Sequence, residues 1–204
     1  MLLCNGPKHP LHPRLKLTRM KPALVFPYLT LALIAASPLV AVAEPQWIWT
    51  GSPAKPNERA TFRKTFTIAG EVKSASLVFT CDNGATAFVN GAKVAENPDW
   101  QQPTKAGVAK NLRAGENELR FEARNADGVA ALVGTLTIEM VDGKKTVIET
   151  GAEWTFAPAA GTEFKAAGIV AKYGAAPWGD ALAGAGRKGT SLIAAAPETL
   201  QRRI

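Results

Sequence analysis

Polar and apolar residues alternate with a period of two along several short stretches of this chain, while no long stretch repeats at helical spacing. Alternation marks a strand with one buried face, because successive side chains leave opposite sides of a pleated backbone. Residues 118–124 show it most cleanly, with Leu119, Phe121 and Ala123 inward and Glu118, Arg120, Glu122 and Arg124 outward. Over residues 60–68, Phe62, Phe66 and Ile68 oppose Thr61, Arg63, Thr65 and Thr67, with Lys64 the one misfit on the apolar side. Residues 74–80 align Ala75, Leu77 and Phe79 on one face. Residues 85–96 centre on Asn90-Gly91, a pair that tolerates the positive φ of a tight turn, so a hairpin is expected there. A second hairpin is expected from residues 131–141 and 145–150 around Asp142-Gly143. Its first arm turns Leu132, Leu136, Ile138 and Met140 inward, and Gly134 leaves room for a close neighbour. Short strands separated by Gly, Asn, Asp and Pro predict an all-β fold, an antiparallel β-sandwich.

The first 43 residues follow a different pattern. Basic residues as far as Lys21 precede an apolar run over residues 22–42, which closes on Ala41-Val42-Ala43, the small-x-small pattern of a signal-peptidase site. A signal-peptide helix over residues 1–43, cleaved before Glu44, is therefore expected, and with it a periplasmic or secreted protein. The run is also long enough to span a bilayer, so an uncleaved anchor is the alternative and the only membrane contact foreseen. Met20-Lys21 makes a compact start of its own, which marks residues 1–19 as a possible mis-assigned start. The sandwich is assigned to residues 44–182, and residues 183–204, rich in Ala, Gly and basic residues, to a flexible tail.

Charge changes the picture once it is divided along the chain. The formal charge of the whole is +7. Lys8, Arg14, Lys16, Arg19 and Lys21 all lie in the leader, and the tail adds Arg187, Lys188, Arg202 and Arg203 against Glu198. The domain between them is nearly neutral, which argues against nucleic acid as a partner, since that binding needs a basic surface.

Cys4, His9 and His12 also fall in the leader, leaving Cys81 as the one cysteine after it and no histidine. An intrachain disulfide, His-based nucleophile systems and a Cys/His zinc site are thereby excluded from the mature chain. Cys81, next to Leu77-Val78-Phe79, reads as a small buried hydrophobe. Trp47 and Trp49, two apart, should point the same way into the core, where Trp154 and Trp178 are also expected.

Several motifs in order carry a resemblance: Trp47-Ile48-Trp49, Phe62-Arg63-Lys64-Thr65-Phe66, Cys81-Asp82-Asn83-Gly84 leading to Phe88-Val89-Asn90-Gly91, Leu112-Arg113-Ala114-Gly115-Glu116-Asn117 and Ala123-Arg124-Asn125. Asp142-Gly143, Glu153-Trp154 and Gly174-Ala175-Ala176-Pro177-Trp178-Gly179 follow. Together, over residues 46–180, they resemble the galactose-binding-like jelly roll of the accessory domains of α-L-rhamnosidases and of many exported bacterial proteins. The resemblance implies either a carbohydrate-binding module or a structural and protein-interaction domain of a larger exported assembly. In similar proteins the segment matching Asp82-Asn83 is a polar pair before an aromatic, whereas here Gly84-Ala85-Thr86 replaces bulkier residues.

A sugar site needs an aromatic face for the C–H side of the ring and acids or amides for its hydroxyls. Trp100 sits in the polar, Pro-bounded stretch Asn97-Pro98-Asp99-Trp100-Gln101-Gln102-Pro103. With Asp99, Asn125, Asp127 and Asp82 it forms the expected ligand-binding set; the alternative is that Trp100 folds back as a lid on the core. Asp82 and Asn83 are equally suited to an Asx-type turn. No cofactor is expected: a structural calcium ion would need six to eight oxygens, and no dense Asp spacing supplies them. Catalysis would rest on carboxylates alone, and no pair among the 17 acids stands out, so a non-enzymatic role is expected, with carbohydrate or another exported protein as partner.

Overall fold

The computed structural model describes residues 44–159 and 161–185; the expected leader and residues 186–204 of the expected tail lie outside the described residues. Twelve strands follow one another: β1 (Gln46–Trp49), β2 (Arg59–Ile68), β3 (Val72–Asp82), β4 (Gly84–Val89), β5 (Ala92–Asn97), β6 (Thr104–Gly107), β7 (Gly115–Arg124), β8 (Ala131–Met140), β9 (Lys145–Glu149), β10 (Thr155–Pro158), β11 (Lys165–Ala166) and β12 (Gly168–Lys172). They form two antiparallel sheets, the first ordered β12-β1-β8-β3-β6 with β9 also on β8, the second β11-β10-β2-β7-β4-β5. Among the described residues, helical structure is limited to 3-10 turns at Ala109–Asn111 and Ala183–Ala185. The protein is an all-β antiparallel sandwich, as the alternation implies.

The long central strands are those with the clearest alternation. β2 and β7 pair without interruption from Arg59 opposite Arg124 to Ile68 opposite Gly115, which sets Phe62 across from Phe121 on the inner face. Between the sheets, Phe79 and Phe121 have ring centroids 5.0 Å apart, Phe121 and Trp154 5.6 Å, and Trp49 and Phe62 5.5 Å. Each such fully buried side chain contributes roughly 1.5–3 kcal/mol through its removal from water, which holds the domain together without a disulfide. Gly134 does make room for a neighbour: a Cβ there would lie 3.1 Å from the Phe79 Cβ. Asn90 and Gly91 take positive φ values of 51° and 82°, the conformation their hairpin requires. Lys64, the misfit of β2, is only partly buried and donates to Glu153.

Two expectations need correction. Trp47 and Trp49 are both buried but belong to different clusters, because the pairing of β1 with β12 shifts register between Trp47 and Ile48. A bulge of this kind breaks the alternation on which the shared direction depended. Trp178 likewise packs on the outer face of the first sheet rather than between the sheets. There Trp47 stacks on Trp178 at 4.9 Å, beside Val78, Ala131, Val133 and Leu182. The chain following β12 forms this cover, tied back by a hydrogen bond from the Leu182 backbone N–H to the Tyr173 hydroxyl at 3.0 Å. Strands β6, β10, β11 and β12 were not legible as such, since short runs like Thr104–Gly107 and Gly168–Lys172 carry little alternation and are held by their pairing partners.

Candidate functional site

On the outer face of the second sheet, where β2 and β4 begin and β5 and β7 end, the surface sinks into a groove of about 470 Å³. That volume lies within the range of small-molecule sites, roughly 300–1,000 Å³. Strand pairing builds it in rows. Arg59 of β2 stands opposite Arg124 of β7, which stands opposite Gly84 of β4. In the next row Thr61 faces Glu122, Glu122 faces Thr86, and Thr86 faces Glu96 of β5. Alternation turns these residues outward, because their neighbours Ala60, Ala85 and Ala123 are buried in the core. Pro98 and Ala159 complete the rim.

Gly84 shapes the floor. A Cβ there would sit 3.0 Å from the Asn97 carbonyl oxygen and 3.4 Å from both Nε and Nη2 of Arg124, so the missing side chain is what lets the Arg124 guanidinium lie down on β4. The departure seen in Gly84-Ala85-Thr86 thus has a structural meaning: small residues open space above this strand.

The charges of the groove are unequally answered. Glu96 accepts from Lys93 at 2.8 Å, and Glu122 pairs with Arg120. The Lys93 hydrogen bond, then its charge, hold the Glu96 carboxyl below the ordinary carboxylate range against a small desolvation, and the charge of Arg124 adds to this. Neither Arg59 nor Arg124 has a carboxylate partner among the described residues, and neither Thr61 nor Thr86 uses its hydroxyl in a side-chain hydrogen bond there.

Behind the groove the backbone is held by amides. Buried Asn97 accepts from Thr80 Oγ1 and the Cys81 N–H, both at 3.1 Å, and its Nδ2 donates to the Asp99 and Gln102 carbonyls and to Thr104 Oγ1. Asn83 donates its N–H to the Arg124 carbonyl at 3.0 Å and accepts the Ala126 N–H at 2.7 Å. Cys81 is fully buried, and desolvation pushes its thiol up to about 12, which makes it inert and bears out its reading as a small hydrophobe. At the start of β2, Glu58 accepts from Thr50 Oγ1 at 2.7 Å and Trp49 Nε1 at 2.9 Å. Burial is the largest single influence on its carboxyl and raises it, but these bonds with the Lys55 N–H and charge together outweigh burial and leave its pKa lowered.

None of the five expected ligand residues lines this groove. Asp82 is buried; its carboxylate accepts from Trp178 Nε1 at 2.9 Å and from Asn83 Nδ2 at 2.8 Å, and desolvation outweighs the Trp178 bond to raise its pKa. Trp100 is half-buried and packs against the Trp47 and Trp178 cluster, with its carbonyl accepting from Thr80. Asp82 and Trp100 therefore meet one cluster on the first sheet. Asn125 is buried and donates to the Lys55 carbonyl at 3.0 Å, and Asp127 sits on the exposed β7–β8 loop, accepting the Gly128 N–H. Asp99 shapes its own loop by accepting from the Gln101 N–H and Gln102 Nε2. The five residues are thus dispersed over one end of the sandwich, with Asp82 and Trp100 alone meeting a common cluster. Sequence reasoning missed the groove, although two signals pointed to it: the charged outward face of β7 and the small residues of β4. Among the described residues no group of three or more His, Cys, Asp or Glu side chains is arranged to hold a metal ion.

No family model matches the chain. Over 155 residues it is 31% identical to an α-L-rhamnosidase of Streptomyces avermitilis, an alignment that takes in 65% of this chain and 15% of that enzyme. The crystal structure of the Streptomyces avermitilis α-L-rhamnosidase complexed with L-rhamnose superimposes on 68% of this chain and 16% of its own, with a TM-score of 0.62 at 27% identity. A lectin from Pleurotus ostreatus, solved in complex with GalNAc, matches 68% of this chain and 45% of its own, with a TM-score of 0.62 at 26% identity. The chain thus spans less than half of the lectin and a small fraction of the enzyme. It shares its sandwich with both, as the order of motifs implies.

Proposed function

We propose that this protein is an exported, non-catalytic module that binds carbohydrate in the groove over β2, β4 and β7. The observation that carries this reading is the convergence of free guanidinium and hydroxyl groups with two carboxylates in one sugar-sized recess. Sugars are recognised through forks of donors and acceptors onto adjacent hydroxyls, and Arg59, Thr61, Thr86, Glu96, Glu122 and Arg124 offer both kinds. Its lining contains no aromatic ring, a departure from the aromatic platform expected of a sugar site, so recognition here rests on polar groups alone. The fold shared with a lectin solved with GalNAc supports the same reading. A glycosidase would need an acid whose pKa is raised, whereas Glu96 is lowered by Lys93 and Glu122 is ion-paired, which favours binding over turnover. The basic, then apolar leader ending at Ala43 supports export.

A glycan array probed with the purified, folded protein tests the reading. Retention of a defined glycan class, lost in Glu122→Gln, supports it; a folded protein that retains no glycan overturns it in favour of a protein-interaction domain. Turnover of aryl-glycosides that disappears in the same variant would overturn the non-catalytic assignment.

A further inference from the structure

The distribution of charge across the groove specifies its ligand further. Arg59 and Arg124 are directly opposite on adjacent strands and both turned outward. Like charges so placed are destabilising in a sheet unless something negative lies between them. The two glutamates of the groove are ion-paired to other cations, Glu96 to Lys93 and Glu122 to Arg120, and the Arg124 charge reaches Glu96 only as the weakest influence on its carboxyl. The lining itself holds two cations and two anions, but with both glutamates ion-paired to Lys93 and Arg120 the arginine row is left without an ion pair of its own. Gly84 completes that row and supplies no side chain, and the Arg124 guanidinium lies over it, its Nε and Nη2 3.4 Å from where a Cβ would sit.

We infer that the groove binds an acidic saccharide, with the carboxylate of a uronic acid received between Arg59 and Arg124 and its ring hydroxyls by Thr61, Thr86 and Glu122. Planar guanidinium groups match carboxylates through paired hydrogen bonds, and such charge-assisted contacts are stronger than neutral ones. The open Thr61 and Thr86 hydroxyls each donate and accept, and Glu122, one row below the arginines, accepts from a sugar hydroxyl while remaining bound to Arg120. This inference rests on the reading of the groove as a sugar site.

Calorimetric titration of the full protein with an oligogalacturonate and with the same oligomer methyl-esterified tests it, because esterification removes the carboxylate charge and adds only a methyl group. The expected result is binding of the free acid at least about tenfold tighter than the ester, with the preference abolished by Arg59→Ala or Arg124→Ala. It should weaken as salt rises. Arg113→Ala, ahead of the other end of β7, removes the same charge and leaves the preference intact. Should either alanine variant fold poorly by circular dichroism, Arg59→Gln and Arg124→Gln keep the stem and remove the charge. Equal affinity for acid and ester, or array binding confined to neutral glycans, overturns the acidic specificity while leaving the sugar-binding reading standing. A sulfated oligosaccharide that binds through the same arginines more tightly than the uronate overturns the assignment to carboxylate. No binding to any glycan on the array removes the reading on which the inference depends.

Discussion

The two outer faces of the sandwich have opposite fates. On the first sheet, Trp47, Val78, Ala131 and Val133 are apolar and are sealed by the chain following β12, which lays Trp178 and Leu182 over them. On the second sheet, β2, β4 and β7 turn Arg, Thr and Glu outward, and no segment among the described residues fills the groove they make. A protein covers apolar surface with its own chain where it can, because exposed it would associate unspecifically. Surface left open and furnished with unpaired charge is the face available to a ligand. The comparison explains why Trp100, the most conspicuous loop aromatic, belongs to the sealed face, while the less conspicuous arginines belong to the open one.

The largest effect on this contrast should come from the sealed face. Trp47→Ala is expected to cost about 3–5 kcal/mol in a denaturant melt, the usual cost of emptying a large buried site, and to leave binding to any glycan ligand unchanged. Trp47→Phe should cost much less, because the Trp47 Nε1 is buried without a hydrogen-bond partner among the described residues and its loss removes an unmet donor. A smaller effect, now on the open face, is expected for Gly84→Val. The added branch meets the Asn97 carbonyl and the Arg124 guanidinium, so a cost of about 1–3 kcal/mol should accompany lost glycan binding, measured by melt and by titration. Arg59→Ala should change stability by no more than about 0.5 kcal/mol, or raise it slightly as its repulsion with Arg124 is relieved.

The smallest effect is a pH dependence beneath the two faces. Glu58 has a lowered pKa in the fold, so the unfolded chain takes up its proton first as pH falls. Its stabilisation is present above the ordinary carboxylate range and is lost as pH drops through the folded value. Asp82 has a raised pKa, so the folded state takes up its proton first, and its ionisation costs stability as pH rises through the window between the unfolded and folded values. Melts between pH 3 and 6 should therefore show acid sensitivity reduced in Glu58→Gln; an unchanged profile would show that the Thr50 and Trp49 bonds do not set it.

Much of the fold was legible because alternation is local. Leu119, Phe121 and Ala123 declare the inner face of β7 whatever lies beside it, and Asn90-Gly91 declares its turn. The candidate site was not legible in the same way. Asp82 and Asn125 have the chemistry of sugar ligands, yet their side chains are engaged by Trp178, Asn83 and Lys55 in supporting the backbone, and a polar side chain's partners are not written in its neighbours along the chain.

Side-chain direction within a strand follows from backbone geometry alone, so the sequence sufficed for an all-β sandwich, for the outward turn of Thr61, Glu122 and Arg124, and for the inward turn of Phe62 and Phe121. Which outward residues meet depends on strand order and register. The order β2-β7-β4 brought Arg59, Arg124 and Gly84 into one row, and the register shift in β1 sent Trp47 to the covered face. Those are contacts between distant parts of the chain, chosen by how whole sheets bury their apolar faces, and no local pattern encodes them.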